Sequence, residues 1–188
     1  NTFLDKIGPK RVWDIGGNTG VFSRLASSRG ISTASFDIDP AAIEISYRQA
    51  RKEKNQNLVP LVMDLTNPSC GIGWANQERS TLTERGPVDC IFALALIHHL
   101  AISNNVPLTR ISSYLASLGR HLVIEFVPKS DSQVKRLLSS REDIFDTYTT
   151  EGFEAAFSQD FLIREKVPVN DSERTMYWLE KKPSSHPH

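Results

Sequence analysis

The sequence predicts one α/β domain: a three-layer α/β/α sandwich whose seven-stranded, mostly parallel, doubly wound sheet closes with an antiparallel C-terminal hairpin. Two observations predict it. Apolar, β-rich runs alternate with stretches of helical period, the pattern of parallel strands covered by helices on both faces. The chain then ends in two strand-like runs joined by a short connection, which favours an antiparallel pair.

The elements follow in order. Residues 11–15 (Arg-Val-Trp-Asp-Ile) form the first strand, and a glycine turn leads into a helix from about Val21 to Ser28 that stops at Gly30. Residues 32–36 form the second strand, and Pro40 occupies a favourable first helical position for Ala41 to Lys52. The third strand, residues 58–63, contains Pro60, which lacks an N–H and so belongs at a sheet edge. Residues 88–94 and 121–126 are the fourth and fifth strands, with a helix from Pro107 to Leu118 between them. Ser130-Asp131-Ser132 reads as a helix N-cap. Residues 161–167 and 174–180 make the final hairpin around Asn170-Asp171. Residues 68–87 break the alternation; this stretch, with Trp74, is expected to carry a short helix and to lie beside a ligand.

Bulk composition narrows the function. A length of 188 residues fits one domain, taken as residues 1–182 with a frayed polar tail at 183–188; the start at Asn1 reads as a domain cut from a longer protein. Apolar and charged contents of 39% and 23% are normal for a globular protein and do not suggest disorder. Lys plus Arg and Asp plus Glu each number 22, so net charge gives no case for DNA, RNA or an anionic membrane. No apolar run approaches the roughly 20 residues of a membrane span, and no signal peptide opens the chain. Cys70 and Cys90 lack disulfide-framework or metal spacing, which reads as two reduced thiols in a cytoplasmic protein.

The glycine turn carries the chemistry. Gly16, Gly17 and Gly20 follow a strand and open a helix, so backbone approaches a ligand with no Cβ in the way. Their spacing is not that of a dinucleotide fingerprint. Asp14, two residues before Gly16, would repel a pyrophosphate but suits a ligand carrying an ammonium and a sulfonium. Asp37 ends the second strand 21 residues after Gly16, the separation at which an acidic side chain meets ribose hydroxyls in such folds. Asp39 could share that role, although its position before Pro40 also suits a helix cap.

On Asp14, Gly16, Gly17, Gly20 and the passage Asp37-Ile38-Asp39-Pro40, the sequence resembles the class I S-adenosylmethionine-dependent methyltransferases over residues 12–181. Asn18 departs mildly from that family, standing where another glycine is frequent, yet it tolerates a left-handed turn. The resemblance implies that the turn cradles the methionine part of S-adenosylmethionine and that Asp37, with Ile38 beside it, holds the ribose. It further implies that Asp64 and Leu65 meet the adenine, and that Ala93 and Leu94 line the sulfonium and methyl pocket. His98-His99, the run from Glu125 to Lys129 and the Ser172-to-Thr175 turn also look like bacterial nodulation-related methyltransferases, which names no substrate.

Methyl transfer needs alignment and exclusion of water more than acid–base help. The candidate catalytic residues are His98 and His99, beyond the fourth strand, and Glu125, which could touch an acceptor or pair with Lys129. No metal site is expected, because adjacent histidines seldom reach one ion. The acceptor is unidentified, with a small molecule favoured over protein or RNA. Two rivals stand beside this reading: a non-catalytic binding module that keeps the cofactor pocket, and a nicotinamide-dependent oxidoreductase. Asp14 and the closing hairpin speak against the second.

Overall fold

A computed structural model describes residues 2–183, so the expected tail lies, from residue 184 on, outside the described residues. Seven strands form one sheet: β1 (Arg11–Ile15), β2 (Ser32–Asp37), β3 (Leu58–Val62), β4 (Val88–Ala93), β5 (Gly119–Phe126), β6 (Phe161–Pro168) and β7 (Thr175–Lys181). The order across the sheet is β3-β2-β1-β4-β5-β7-β6. The first five are mutually parallel, and β7 runs antiparallel to both β5 and β6. The order reverses between β1 and β4, which opens a crevice at the carboxyl ends of those strands.

Alternation along each central strand builds two cores. Trp13, Ile15, Ile91, Ala93, Leu122 and Ile124 face one side, and Val12, Cys90, Phe92 and Val123 face the other. The second face is covered by α1 (Thr2–Ile7) and α2 (Val21–Ser27), through Leu4 and Ala26. Helix α3 (Pro40–Lys52) docks on β2 and β3, and just beyond its end Asn55 Nδ2 donates to Ser27 Oγ of α2 at 2.7 Å. The first face carries α4 (Leu82–Arg85), α5 (Leu108–Leu118), α6 (Ser132–Leu138) and α7 (Thr150–Phe157).

Local chemistry sets the helix ends. Asp39 Oδ1 accepts from Ala41 N–H at 2.8 Å, with Pro40 at the first helical position. Thr81 and Glu84 form a reciprocal capping box on the short α4, and Asp131 caps α6 by accepting from Gln133 N–H at 2.8 Å. At the β5–β7 end, Phe153 packs on Phe126, Phe157 and Tyr177 with centroids 5.1, 4.4 and 4.9 Å apart. Tyr148 O–H donates to Val127 C=O at 2.8 Å. Aromatic pairs of this kind add about 0.5–1.5 kcal/mol each beyond buried area, so this cluster fixes the end of β5 and the hairpin against α7.

The expected helix boundaries hold to within a residue, and Pro60 lies on edge strand β3 as its missing N–H requires. The segment between β3 and β4 differs from expectation. Residues 67–87 close on themselves through an Ile72–Arg79 bridge, and none of them reaches the cavity described next. Trp74 is 86% exposed there, so it stacks on no ligand in that cavity. The stretch expected beside a ligand instead forms a self-contained flap.

Candidate active site

A cavity of about 860 Å³ opens over the carboxyl ends of β1, β2, β4 and β5. Its size falls within the roughly 300–1,000 Å³ of small-molecule sites. Its floor begins at the bend after β1. Gly16 and Gly17 N–H both donate to Phe36 C=O, at 2.8 and 3.0 Å, tying the bend to β2. Gly16 has φ +77° and Asn18 φ +49°, so the backbone turns through the left-handed region that the glycine-rich sequence predicts. A Cβ on Gly17 would stand 2.3 Å from Ser35 Oγ and 3.1 Å from Asp14 Oδ2, so only glycine lets the bend lie this close over β1 and β2.

Asp14 is buried beneath that bend, where Ser23 O–H donates to its carboxylate. Burial pushes its carboxyl up from 3.8 to about 6, and the nearby Asp37 charge adds to the rise against the Ser23 bond. Asp37 organises the adjoining wall: one oxygen accepts from Asn18 N–H at 2.8 Å and the other from Asp39 N–H at 2.9 Å. Ile38 beside it is 65% exposed at the cavity rim. Asp39 caps α3 and does not line the cavity, which leaves Asp37 as the acidic side chain at this point. Asp64 lies beyond β3 with one oxygen accepting from Thr66 N–H and O–H, at 2.8 and 2.7 Å, and Met63 and Leu65 line the same wall.

The remaining wall is the exit from β4. Leu94, Ala95, Leu96, His98 and His99 all line the cavity, and Ala95 takes φ +49°. Glu125 Oε2 accepts from Ala95 N–H at 2.8 Å and lies 3.6 Å from Arg174 Nη1, whose Nε meets Asp131 Oδ2 at 2.7 Å. One chain of contacts thus links the β4 exit, β5, the start of β7 and the cap of α6. Lys129 is occupied elsewhere, donating to Asp143 at 2.7–2.8 Å, so of the two alternatives for Glu125 the Lys129 pairing is absent and Arg174 takes its place. A carboxylate so engaged positions its neighbours rather than shuttling a proton. Replacing Arg174 with Met should leave Glu125 and Asp131 facing each other without a cation. We expect a loss of about 2–3 kcal/mol, seen as a lower midpoint in urea unfolding with unchanged slope.

His98 is 1% exposed and its Nδ1 has no hydrogen-bond partner. Its ring centroid is 4.2 Å from that of His99. Burial, then the His99 and Arg174 charges, lower its pKa from 6.5 to about 4, against the opposing pull of Asp131. Burial also lowers His99, opposed by Asp37. Both imidazoles are therefore neutral at pH 7. Among the described residues, no group of three or more His, Cys, Asp or Glu side chains is arranged around a common point that could hold a metal. No helix among them is long and apolar enough to cross a membrane.

Two expected ligand contacts fall outside the cavity. Ala93 points with Ile91 into the sheet core, one residue short of the β4 exit. Gly20 serves packing: its φ is +77°, and a Cβ there would stand 2.3 Å from Ser46 Oγ on α3. Conversely, sequence reasoning passed over Gln133, Arg174 and Met176 as lining residues. Arg174 and its partner Asp131 lie 43 residues apart, a separation that no local pattern reveals.

With this geometry in view, comparison with known proteins places the chain. It belongs to the methyltransferase-domain family, which matches residues 2–160. A curated relative is the nodulation protein NoeA of Rhizobium meliloti (strain 1021), 38% identical over 180 residues, covering 95% of this chain and 38% of that protein. The chain thus spans well under half of that relative's length. Among solved structures, the fold is similar to magnesium protoporphyrin IX methyltransferase (ChlM) from Synechocystis PCC 6803 with bound SAH. The TM-score is 0.66 at 17% identity, over 96% of this chain and 80% of that one. It is also similar to PH0226 from Pyrococcus horikoshii OT3 (TM-score 0.68, 14% identity, 96% and 86% covered). The bifunctional kinase-methyltransferase WbdD matches with a TM-score of 0.62 at 17% identity, over 95% of this chain and 36% of that one.

Proposed function

We propose that the cavity holds S-adenosylmethionine and that the protein transfers its methyl group to a small-molecule acceptor. The observation that carries this reading is electrostatic. Four carboxylates, Asp14, Asp37, Asp64 and Glu125, line the cavity against one guanidinium, Arg174, which two carboxylates already hold. A ligand with an ammonium and a sulfonium is stabilised by such a wall, and a pyrophosphate is repelled.

In this reading the bare backbone at Gly16 and Gly17 takes the amino-acid end. Asp37 accepts from the ribose hydroxyls, with Ile38 against the nucleoside. Asp64 and Leu65 meet the adenine edge, and Leu94 with Leu96 closes on the sulfonium. When bound, the cofactor supplies an activated methyl group that needs alignment and a dry surrounding more than an acid. The chain's own residues provide those: Glu125 holds the β4 exit in place through Ala95, and Leu94, Leu96 and Met176 present apolar surface.

Titration calorimetry separates this reading from its rivals. S-adenosylhomocysteine should bind with micromolar affinity, while NAD gives no heat above dilution. NAD binding with no response to S-adenosylhomocysteine would sink the proposal. Tight S-adenosylhomocysteine binding without cofactor turnover across a broad acceptor set would instead mark a binding module that keeps the pocket.

A further inference from the structure

We propose that the β5–β7 end of the cavity is an acceptor subsite for an uncharged, hydroxyl-bearing molecule, with the His98 imidazole as hydrogen-bond partner of that hydroxyl. The inference rests on the methyl-donor reading above and gives its acceptor a chemical class.

Sheet order sets the location. The glycine bend, Asp37 and Asp64 occupy the β1–β3 end of the cavity, whereas Glu125, Gln133, Arg174 and Met176 come from β5, α6, the residue leading into β7 and β7 itself at the other end. His98 lines the cavity, is 1% exposed, and keeps Nδ1 without a partner in the protein. A buried polar atom left unmet costs about 1–3 kcal/mol, and a ligand in the adjoining cavity is a means of relieving that.

Charge selects the ligand. Glu125 and Asp131 outnumber Arg174 in their network, and among the described residues Arg174 is the sole Lys or Arg lining the cavity. A carboxylate or phosphate would face these acids with a neutral imidazole and an already engaged guanidinium, so anionic acceptors are disfavoured. A protonated amine would be attracted but has no free electron pair, and His98, held near pKa 4 by burial and then by the His99 and Arg174 charges, is too weak a base to liberate one. A hydroxyl meets both conditions: it donates its hydrogen to imidazole while its oxygen keeps a free lone pair. On methylation that oxygen gains a C–O bond as the C–S bond breaks, with the C–S pair staying on sulfur. The hydroxyl proton then leaves along the hydrogen bond to the imidazole and on to water. A methylated oxygen still bearing its proton is acidic enough to protonate even this weak base.

The test uses two probes matched in ring size and different in charge, phenol and benzoate, added to protein saturated with S-adenosylhomocysteine at neutral pH. The readout is the His98 ring resonance in histidine-labelled protein, assigned by through-bond correlation. Phenol should shift that resonance saturably, and benzoate should bind at least about tenfold more weakly, equivalent to about 1.4 kcal/mol. Benzoate binding as well as phenol, or a silent His98 resonance under phenol while S-adenosylhomocysteine is bound, would overturn the subsite. Failure to take up S-adenosylhomocysteine at all would show in the calorimetry first, and would remove the donor reading together with the subsite built on it.

Discussion

Asp37→Ala should weaken S-adenosylhomocysteine binding about 100-fold in calorimetry while leaving the fold intact. The side chain holds two N–H groups of the protein, from Asn18 and Asp39, at 2.8 and 2.9 Å. In the proposed complex it also accepts from the ribose. Hydrogen bonds to a charged group contribute about 1.5–3 kcal/mol each, and losing the net equivalent of one or two gives about 2.7 kcal/mol, or 100-fold. The bend would loosen as well, because Asn18 loses the acceptor that fixes its N–H. The sheet is retained, since β2 keeps its backbone ladders to β1 and β3. Asp37→Asn, with one acceptor oxygen left, should fall between the two. Wild-type affinity in the alanine variant would remove the ribose assignment, and Asp39 is no substitute because it is committed to the α3 cap.

Asp14→Asn should make the ligand-free protein more stable and its cofactor binding at least about tenfold weaker. The folded carboxyl sits at about 6 against an ordinary 3.8, chiefly because it is buried. Between those values the folded protein keeps a proton that the unfolded chain has lost, so stability falls as pH rises from about 4 to 6. Above that window the buried charge opposes folding by up to about 3 kcal/mol, which asparagine removes while still accepting from Ser23. We expect about 1–3 kcal/mol of gained stability at pH 7, roughly 2–4 °C of melting temperature per kcal/mol. His98 titrates in the opposite sense. Its folded pKa of about 4 lies below the unfolded 6.5, so stability is lost as pH falls through that range. The Asp14 contribution therefore appears in the difference between variant and wild type at each pH, not in either curve alone. A variant that binds S-adenosylhomocysteine as tightly as wild type would refute the electrostatic reading, whatever its melting temperature.

The sheet was legible because its signals are local. Strand runs, Pro40 at a helix start, Pro60 at an edge and the Asn170-Asp171 connection each follow from the conformational limits of a few adjacent residues. The bend and its acids were legible for the same reason: Asp14, Gly16, Gly17 and Asp37 sit at fixed offsets from strand ends. Ala93 lies one residue short of the cavity. Strand alternation turns it into the core with Ile91, and the chain reaches the cavity only at Leu94. Gly20 lies outside the cavity, which the sequence hides because a positive φ and a close neighbour look the same in sequence whether the neighbour is a ligand or Ser46. The other side of the cavity was hidden by distance. Glu125, Asp131 and Arg174 meet only after β7 inserts between β5 and β6, and the aromatic cluster that supports them depends on how α7 packs on that end of the sheet.

Pro60 has a consequence beyond marking the end of the sheet. Met63 N–H is turned inward to Asp37 C=O, so the parity of a strand turns the nitrogen of Pro60 outward, where it offers no donor. Val59, Leu61 and Val62 are all more than 40% exposed along this strand, an arrangement that would otherwise invite a second chain to add itself by β-augmentation. The opposite margin, β6, carries Arg164, Glu165 and Lys166 and ends at Pro168. Both flanks thus discourage cross-molecular zippering, and the protein can display apolar side chains at its borders without templating fibrils.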